Sequence, residues 1–422
     1  MLNYACCNRE DHTGMKQGRT FPKVIVTRKA EQSIVSGHPW IYNTEVVSAE
    51  PYENGCLVDV VSLKGSYLGT GFFNDHSKIR VRLISRNTND AFDEAFFERR
   101  LRYAWEYRKA VMGTDVSCCR IIFGESDSFP GLTVDRFSNI LVTQTLSLGI
   151  EKLKPMLFPL LYRVLTEDGQ KIDGIYERND SAIRGLEGME QNKGFFPLTN
   201  LPVPDSTKTE ITENGIQYTV DFENGQKTGF FLDQKYNRRA VAKLCPGRHV
   251  LDCFTDTGSF ALNAARAGAE HVHAVDISEK AISVAKENAR LNGLEEKIDF
   301  EVANVFDLLP RLAETAKKQY DLIILDPPAF TKSRKTVMGA ERGYKEINYR
   351  AMKILPRGGY LATCSCSHFM TDELFRKMLR SAAADAQVSL RQVEARQQAP
   401  DHPVLWNVPE TDYLKFYIFQ VV

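Results

Sequence analysis

From residue 248 onward the chain alternates short apolar runs with amphipathic stretches, and this restricts the fold more than any other feature of the sequence. Strand-like runs at 249–254, 271–276, 298–303, 320–326 and 359–366 are separated by segments long enough for a helix. Parallel strands cannot be joined by tight turns and need crossovers of this kind, so the pattern predicts a doubly wound α/β domain on a mostly parallel sheet. Two further runs, 388–395 and 413–421, lack room for the same regular helix between them. The final strand is therefore expected to pair antiparallel.

The first half reads differently. Residues 22–88 contain short strands broken by turns, the clearest being 79–84, where Ile79, Val81 and Leu83 alternate with Arg80 and Arg82 as in a half-buried strand. Asp93 and Glu94 suit the positive end of a helix carrying Phe97, Leu101, Ala104 and Trp105 on one face, with Arg99, Arg100, Arg102 and Arg108 read as a solvated charge run. Strand patterns at 121–123, 132–134 and 139–146, a helix near 150–166 and a strand at 174–177 make 89–200 a central α+β domain. Pro202 and Pro204 mark a linker opening the last domain, 201–422, which begins with a hairpin over 209–222 turning at Asn214-Gly215. Residues 1–21 read as a tail.

Lys and Arg number 54, as do Asp and Glu, so the formal net charge is zero and composition neither supplies nor excludes a nucleic-acid partner, which depends on where the cations cluster. Apolar runs such as 321–326 fall far short of the roughly 18 residues a membrane span needs. The N-terminus lacks the order of a secretory signal, so no membrane association and a cytoplasmic location are expected. Nine cysteines without a CxxC pair fit reduced thiols; Cys6, Cys7 and His12 have no second ligand pair at zinc spacing, and no metal is expected.

The turn after the first strand of the alternating region, Asp252-Cys253-Phe254-Thr255-Asp256-Thr257-Gly258, lies where a doubly wound sheet binds its ligand. It has one glycine where a dinucleotide fold uses three, which disfavours a pyrophosphate. Asp252 offers a carboxylate suited to a positively charged amino-acid moiety, and Asp276, 24 positions on, suits ribose hydroxyls. Acids without a phosphate loop point to S-adenosylmethionine, although the same aspartates also serve to cap turns. Asn304, after the third strand, suits an adenine edge. Phe254, Thr255, Gly258, Ile277 and Val305 complete this cofactor set. In order and spacing these segments resemble the motifs of class I methyltransferases.

Asp326-Pro327-Pro328 closes the fourth strand, and its prolines fix a stiff turn that projects a carboxylate. Similar acid-Pro-Pro elements in DNA and RNA methyltransferases grip the exocyclic nitrogen and ring edge of a base. Cys364-Ser365-Cys366 ends the fifth strand, so one cysteine should face the same crevice. Carbon 5 of a pyrimidine is too weakly nucleophilic to accept a sulfonium methyl directly, and a thiolate added at carbon 6 makes it so. Lys332, Arg334, Lys335, Arg342 and Lys345, with Tyr344 among them, follow the Asp326 turn and read as an RNA-facing loop, since a splayed base needs cations and an aromatic surface.

From about residue 22 to the end the chain resembles the bacterial 23S ribosomal RNA large-subunit methyltransferase I group, which forms 5-methylcytosine. The matching segments are His38-Pro39-Trp40, 124–127, 130–136, 227–234, 326–330, 343–348, Ser365-Cys366-Ser367 and 401–404. The resemblance implies a PUA-like RNA-binding domain, a Rossmann-like C-terminal methyltransferase domain, 23S ribosomal RNA as partner and a possible homodimer. It also implies Thr228, Phe231 and Asp233 beside the cofactor, and Cys366 as nucleophile with Asp326 as its catalytic partner. Cys364 is expected to be packing, and Asp256, where some relatives carry His or Tyr, to matter little. Ala329 stands where wider RNA cytosine-5 methyltransferases carry a second cysteine, so another group must take the carbon-5 proton: His368, Asp326 or an ordered water.

Overall fold

The computed structural model describes residues 20–199, 201–316, 318–331 and 333–422, so Cys6, Cys7, His12 and Lys332 lie outside the described residues. The chain falls into two compact units, one running to Thr207 and including Leu405–Pro409, the other holding Lys208–Val404 and Glu410–Val422.

In the first unit, β1 (Lys23–Val26), α1 (Arg28–Val35), β2 (Trp40–Tyr42), β3 (Val46–Ala49), β4 (Leu57–Val61), β5 (Tyr67–Phe73) and β6 (Ile79–Ser85) build a six-stranded sheet ordered β2-β6-β5-β4-β1-β3. The expected strands are present. The sequence reading missed α1, whose N-cap Thr27 accepts a hydrogen bond from the Ala30 N–H, and the short β2 and β3. After α2 (Glu94–Met112), capped by Asp93, come β7 (Cys118–Phe123), β8 (Leu132–Phe137), β9 (Ile140–Thr145), α3 (Leu148–Glu167), β10 (Gly174–Asn179), α4 (Ile183–Leu186) and β11 (Asn192–Phe195). Their sheet runs β11-β10-β9-β8-β7. The apolar stripe of α2 is buried as expected, but Arg108 is not solvated. It is fully buried, its Nη2 donating to Asp127 Oδ2 at 2.7 Å and its Nε to the Arg120 carbonyl at 2.8 Å. A buried guanidinium needs such a pairing to offset desolvation, which gives the 124–127 segment a structural task.

The second unit opens with the hairpin β12 (Lys208–Glu213) and β13 (Ile216–Asp221). Asn214 and Gly215 both adopt positive φ, as a tight two-residue hairpin turn requires. Ile216, Tyr218, Val220 and Phe222 are buried within their own unit. Then follow α5 (Lys235–Ala242), β14 (His249–Cys253), α6 (Ser259–Arg266), β15 (His271–Asp276), α7 (Glu279–Leu291), β16 (Ile298–Val302), α8 (Val305–Thr315), β17 (Leu322–Leu325), α9 (Val337–Ile354), β18 (Tyr360–Ser365), α10 (Asp372–Ala386), β19 (Leu390–Arg396) and β20 (Lys415–Val421).

The sheet order is β16-β15-β14-β17-β18-β20-β19, with β14 to β18 parallel and β20 antiparallel to both its neighbours. This is the doubly wound α/β domain expected. All four residues of β17 are fully buried. At roughly 1.5–3 kcal/mol for each large aliphatic side chain removed from water, that suffices to fix it as a central strand. One face is covered by α8, α9 and α10 through Leu309, Ile347, Ala351 and Phe375. The parallel strands therefore deliver their carboxyl ends, and the turns after them, to one edge of the sheet. Among the described residues no helix is long and apolar enough to cross a membrane.

Candidate functional site

At that edge lies a cavity of about 380 Å³ lined by the turns after β14, β15, β16, β17 and β18 together with the 226–234 segment. Of the residues singled out for the cofactor, Phe231, Asp233, Phe254, Thr255, Asp276, Ile277, Asn304, Val305 and Asp326 line it, as does Cys366. Thr228, Asp252 and Gly258 do not.

For Asp252 and Gly258 the reason lies in the turn after β14. Phe254, Asp256 and Gly258 all have positive φ, which winds the chain tightly into α6. A Cβ on Gly258 would stand 3.1 Å from that of Ala285, so glycine serves here for conformation and close packing. Asp252 is fully buried beneath this turn, its Oδ2 accepting from Thr255 Oγ1 at 2.6 Å and from the Ala261 N–H at 2.9 Å. The expectation that Asp252 meets the ligand is thus corrected: its carboxyl fastens the turn and one N–H of the first turn of α6 from behind. Burial pushes its pKa to about 7, the Thr255 hydrogen bond opposing this and Asp326 adding to it.

Asp276 does face the cavity. Its Oδ2 accepts from the Asp256 N–H at 3.0 Å and its Oδ1 from the Ser278 N–H at 2.9 Å. It therefore locks the β14 turn to the β15 turn while lining the cavity. Asn304 Oδ1 caps α8 by accepting from the Phe306 N–H, and the buried Val305 follows. Asp256, expected to matter little, is a lining carboxylate pushed up to about 6 by burial.

On the 226–234 segment, Lys227 lies 4.5 Å above the Phe231 ring, and Asp233 Oδ2 accepts from the Tyr413 hydroxyl at 2.6 Å. Arg238 joins them: its Nη2 donates to the Phe231 carbonyl and its Nη1 to Glu213, both at 2.7 Å. Neither Tyr413 nor Arg238 carried a sequence signal. Their role follows from the hairpin meeting α5, through Arg238–Glu213 and Asn214–Lys235, and from the segment before β20 reaching Asp233.

Asp326 ends β17 at the cavity wall. Its Oδ1 accepts from Gln234 Nε2 at 3.0 Å and from Cys364 Sγ at 2.9 Å. Gln234 cannot turn its amide over without losing the 2.6 Å bond its Oε1 accepts from Asn237 Nδ2, and Asn237 Oδ1 accepts in turn from Arg396 Nε. Burial raises the Asp326 carboxyl, with Cys364 and Arg238 pulling against it. Cys364, expected to be packing, is indeed fully buried but also donates to the acid; its thiol is held well above its usual pKa, by burial first and Asp326 second. Cys366 lines the cavity with its Sγ 4.0 Å from the Pro327 carbonyl. Burial raises it to about 11, Lys227 and Lys415 opposing that rise. His368 is exposed and does not line the cavity.

The expected RNA-facing loop is a short 3-10 turn, Arg334–Thr336, running directly into α9. Arg334, Lys335 and Arg342 are exposed, and Lys345 pairs with Asp385 at 2.7 Å. Tyr344 is a correction. It is fully buried in the core against Phe330 and Phe375, with its hydroxyl accepting from Ser365 Oγ at 3.0 Å, because the helical period of α9 turns position 344 inward.

The residues present suit S-adenosylmethionine. Asp233, Asp256, Asp276 and Asp326 face Lys227 and Arg238 across a cavity walled by Phe231, Phe254, Ile277 and Val305. That gives an acidic surface for a cationic ligand, hydroxyl acceptors and an apolar slot for a flat ring. Asp252 Oδ1 is buried without a hydrogen-bond partner, but it lies behind the turn and not in the cavity.

A family model described as S-adenosylmethionine-dependent methyltransferase matches residues 202–419, and one described as a PUA-like domain matches 24–86. The chain is 38% identical over 409 residues to a ribosomal RNA large subunit methyltransferase I of Klebsiella pneumoniae, covering 95% of this chain and 99% of the relative. It is 39% identical over 403 residues to the protein of that name from Erwinia tasmaniensis, with the same coverage. Among solved structures, one described as a SAM-dependent methyltransferase from Streptococcus mutans superposes with a TM-score of 0.78 at 22% identity, covering 94% of this chain and all of that one. Another, a methyltransferase solved with SAH, gives 0.79 at 22% with 94% of this chain covered.

Proposed function

We propose that this chain, which belongs to the ribosomal RNA large subunit methyltransferase I family, forms 5-methylcytosine in 23S ribosomal RNA with Cys366 as nucleophile and Asp326 as the base-gripping acid. The observation that carries this reading is that a thiol and a carboxyl, delivered by adjacent strands β17 and β18, line the same cavity as the acidic cofactor surface. S-adenosylmethionine, when bound, supplies an electrophilic methyl group. The rest is the work of the chain's own residues. Asp326 holds the cytosine at N3 and N4 through the oxygen not taken by Gln234 and Cys364. Cys366 loses its proton, its sulfur bonds carbon 6, and the π pair moves to leave carbon 5 nucleophilic. After methylation the carbon-5 proton leaves and the carbon–sulfur bond breaks, restoring the thiolate.

His368 does not line the cavity and the free oxygen of Asp326 is engaged at the base edge, so the carbon-5 proton passes to water in the cavity. The exposed Arg334, Lys335 and Arg342 supply phosphate contacts beside the site, and the PUA-like sheet supplies a second RNA-binding surface. A ribosomal RNA substrate fits an enzyme of the cytoplasm. A homodimer would have to use the polar face of the 209–222 hairpin or another surface, because the hairpin's apolar face is buried within the chain.

The alternative is transfer to a ring or exocyclic nitrogen of a purine, which needs no thiolate; the high pKa of Cys366, about 11, is the observation in its favour. Incubation with undermethylated 23S ribosomal RNA and tritiated S-adenosylmethionine, followed by nucleoside analysis, separates the two. Label in 5-methylcytidine is expected. Label in a methylated purine would sink the cysteine mechanism and leave Asp326-Pro327-Pro328 as the gripping element of a direct transfer.

A further inference from the structure

Lys415 begins β20 directly opposite Ser365, the residue between the two cysteines. Its side chain is buried, at 7% relative exposure, and its Nζ donates to the Ser367 carbonyl at 2.7 Å and the Tyr413 carbonyl at 2.8 Å. Among the described residues no carboxylate lies within ion-pair distance of it; Asp412 and Asp372 act only from farther off. An ammonium removed from water without a counter-charge is costly, and two carbonyl dipoles offset only part of that cost. The backbone to which it is fastened is one residue past Cys366.

Resting on the cysteine mechanism above, we propose that Lys415 is a positioning residue whose ammonium provides the counter-charge for the Cys366 thiolate at the moment it forms. When the Cys366 proton leaves to solvent at the cavity mouth, a buried unpaired cation and a buried new anion become a pair. The addition then proceeds from a sulfur that has lost only its proton. On elimination from carbon 6 the same pair re-forms.

The other charges facing Cys366 explain why this falls to Lys415. Asp326 and Asp233 oppose ionisation, while Lys227 favours it, more strongly than Lys415 does. Lys227, however, is half exposed and lies 4.0 Å from Asp233, so solvent and that carboxylate blunt its field. Lys415 is enclosed, and its charge acts at lower effective dielectric. Cys366 and Cys364 in turn favour its charged form, against burial that brings it down to about 8.

The test is the rate of Cys366 alkylation by iodoacetamide between pH 7 and 10 in the full-length protein, read by peptide mass spectrometry. K415Q keeps donors for both carbonyls but removes the charge, and K415R keeps the charge. K415Q is expected to slow alkylation about tenfold below about pH 8, where Lys415 is charged, one pKa unit of added cost, with the gap narrowing above it and K415R within about threefold of the native rate. SAH binding reports that each variant is folded. Should K415Q fail to bind it, K415M fills the same buried channel without polar atoms and takes the same readout. Native and neutral-variant profiles that superimpose would overturn the proposal. If nucleoside analysis gives 5-methylcytidine while the profiles superimpose, the Lys415 inference alone fails. If label falls in a purine while K415Q still slows alkylation, the coupling stands and the cysteine mechanism falls.

Discussion

Two neighbouring parallel strands each carry an aspartate at their carboxyl end, Asp252 as the penultimate residue of β14 and Asp326 immediately after β17, and the turns that follow use it in opposite ways. After β14 the chain winds through residues of positive φ into α6, whose first N–H groups have no carbonyl partner and point back at the strand end. Asp252 turns inward to satisfy one of them. After β17 come Pro327 and Pro328, which have no N–H to offer. Asp326 finds no donor in its own turn, so its Oδ1 takes side chains from elsewhere, Gln234 and Cys364, and the carboxyl stays at the cavity wall. The donors supplied by the next few residues, more than the aspartate itself, decide whether a strand-end carboxylate is structural or chemical.

The largest effect expected comes from the cavity side. C366A should reduce methyl transfer by roughly a thousandfold or more, with SAH affinity within about twofold of native, as measured by single-turnover methylation and calorimetry. D326N should lower kcat about 100-fold while leaving unfolding midpoints near native, since it alters a group poised for the base and not the fastening of a turn. A D326N protein as unstable as an Asp252 variant would break the contrast.

For Asp252 the expected signature is pH-dependent stability. Its folded pKa of about 7 lies above the ordinary 3.8, so the folded chain holds the proton longer than the unfolded one. The resulting stabilisation is complete below 3.8 and is lost as pH rises through 7. That amounts to up to about 4 kcal/mol across the window. Urea unfolding at pH 5 and pH 8 should show about 3 kcal/mol of this loss in the native chain and a smaller one in D252N, whose amide oxygen still meets the Ala261 N–H. Equal losses in both would mean that Asp252 titrates normally.

The smallest effect separates core from RNA contact on α9. Y344F removes one hydrogen bond to Ser365 and should cost about 1 kcal/mol of stability with RNA affinity unchanged. R334E/K335E should leave stability alone and weaken RNA binding several-fold, in a salt-dependent way measurable by filter binding.

The alternation of apolar runs after 248 and the alternating strand at 79–84 were legible in sequence because burial on a sheet imposes a period that composition must follow. The turns carrying Asp276, Asn304, Asp326 and Cys366 were legible because a parallel sheet presents its strand ends at one edge. Tyr344 was misread because aromatic-with-cation spacing looks the same on a loop and on a helix, and only the phase of α9 told them apart. Gln234, Arg238, Tyr413 and Lys415 escaped as functional candidates because each acts across 90 or more positions or through a neighbouring element, as in the Gln234–Asp326 bond spanning 92 residues.

By itself, then, the sequence determined what short-range chemistry can dictate: the α/β layering, the antiparallel last strand, the stiff acid-bearing turn of Asp326 and the presence of a cysteine at the end of β18. Only the tertiary structure decided which carboxylate faces the cavity, which thiol is spent on hydrogen bonding Asp326 and which faces the cavity, and where a buried ammonium lies unpaired by a carboxylate. The physical reason is that a side chain's ionisation and orientation depend on donors, charges and burial brought from distant segments, and these exist only once the sheet has closed over its helices.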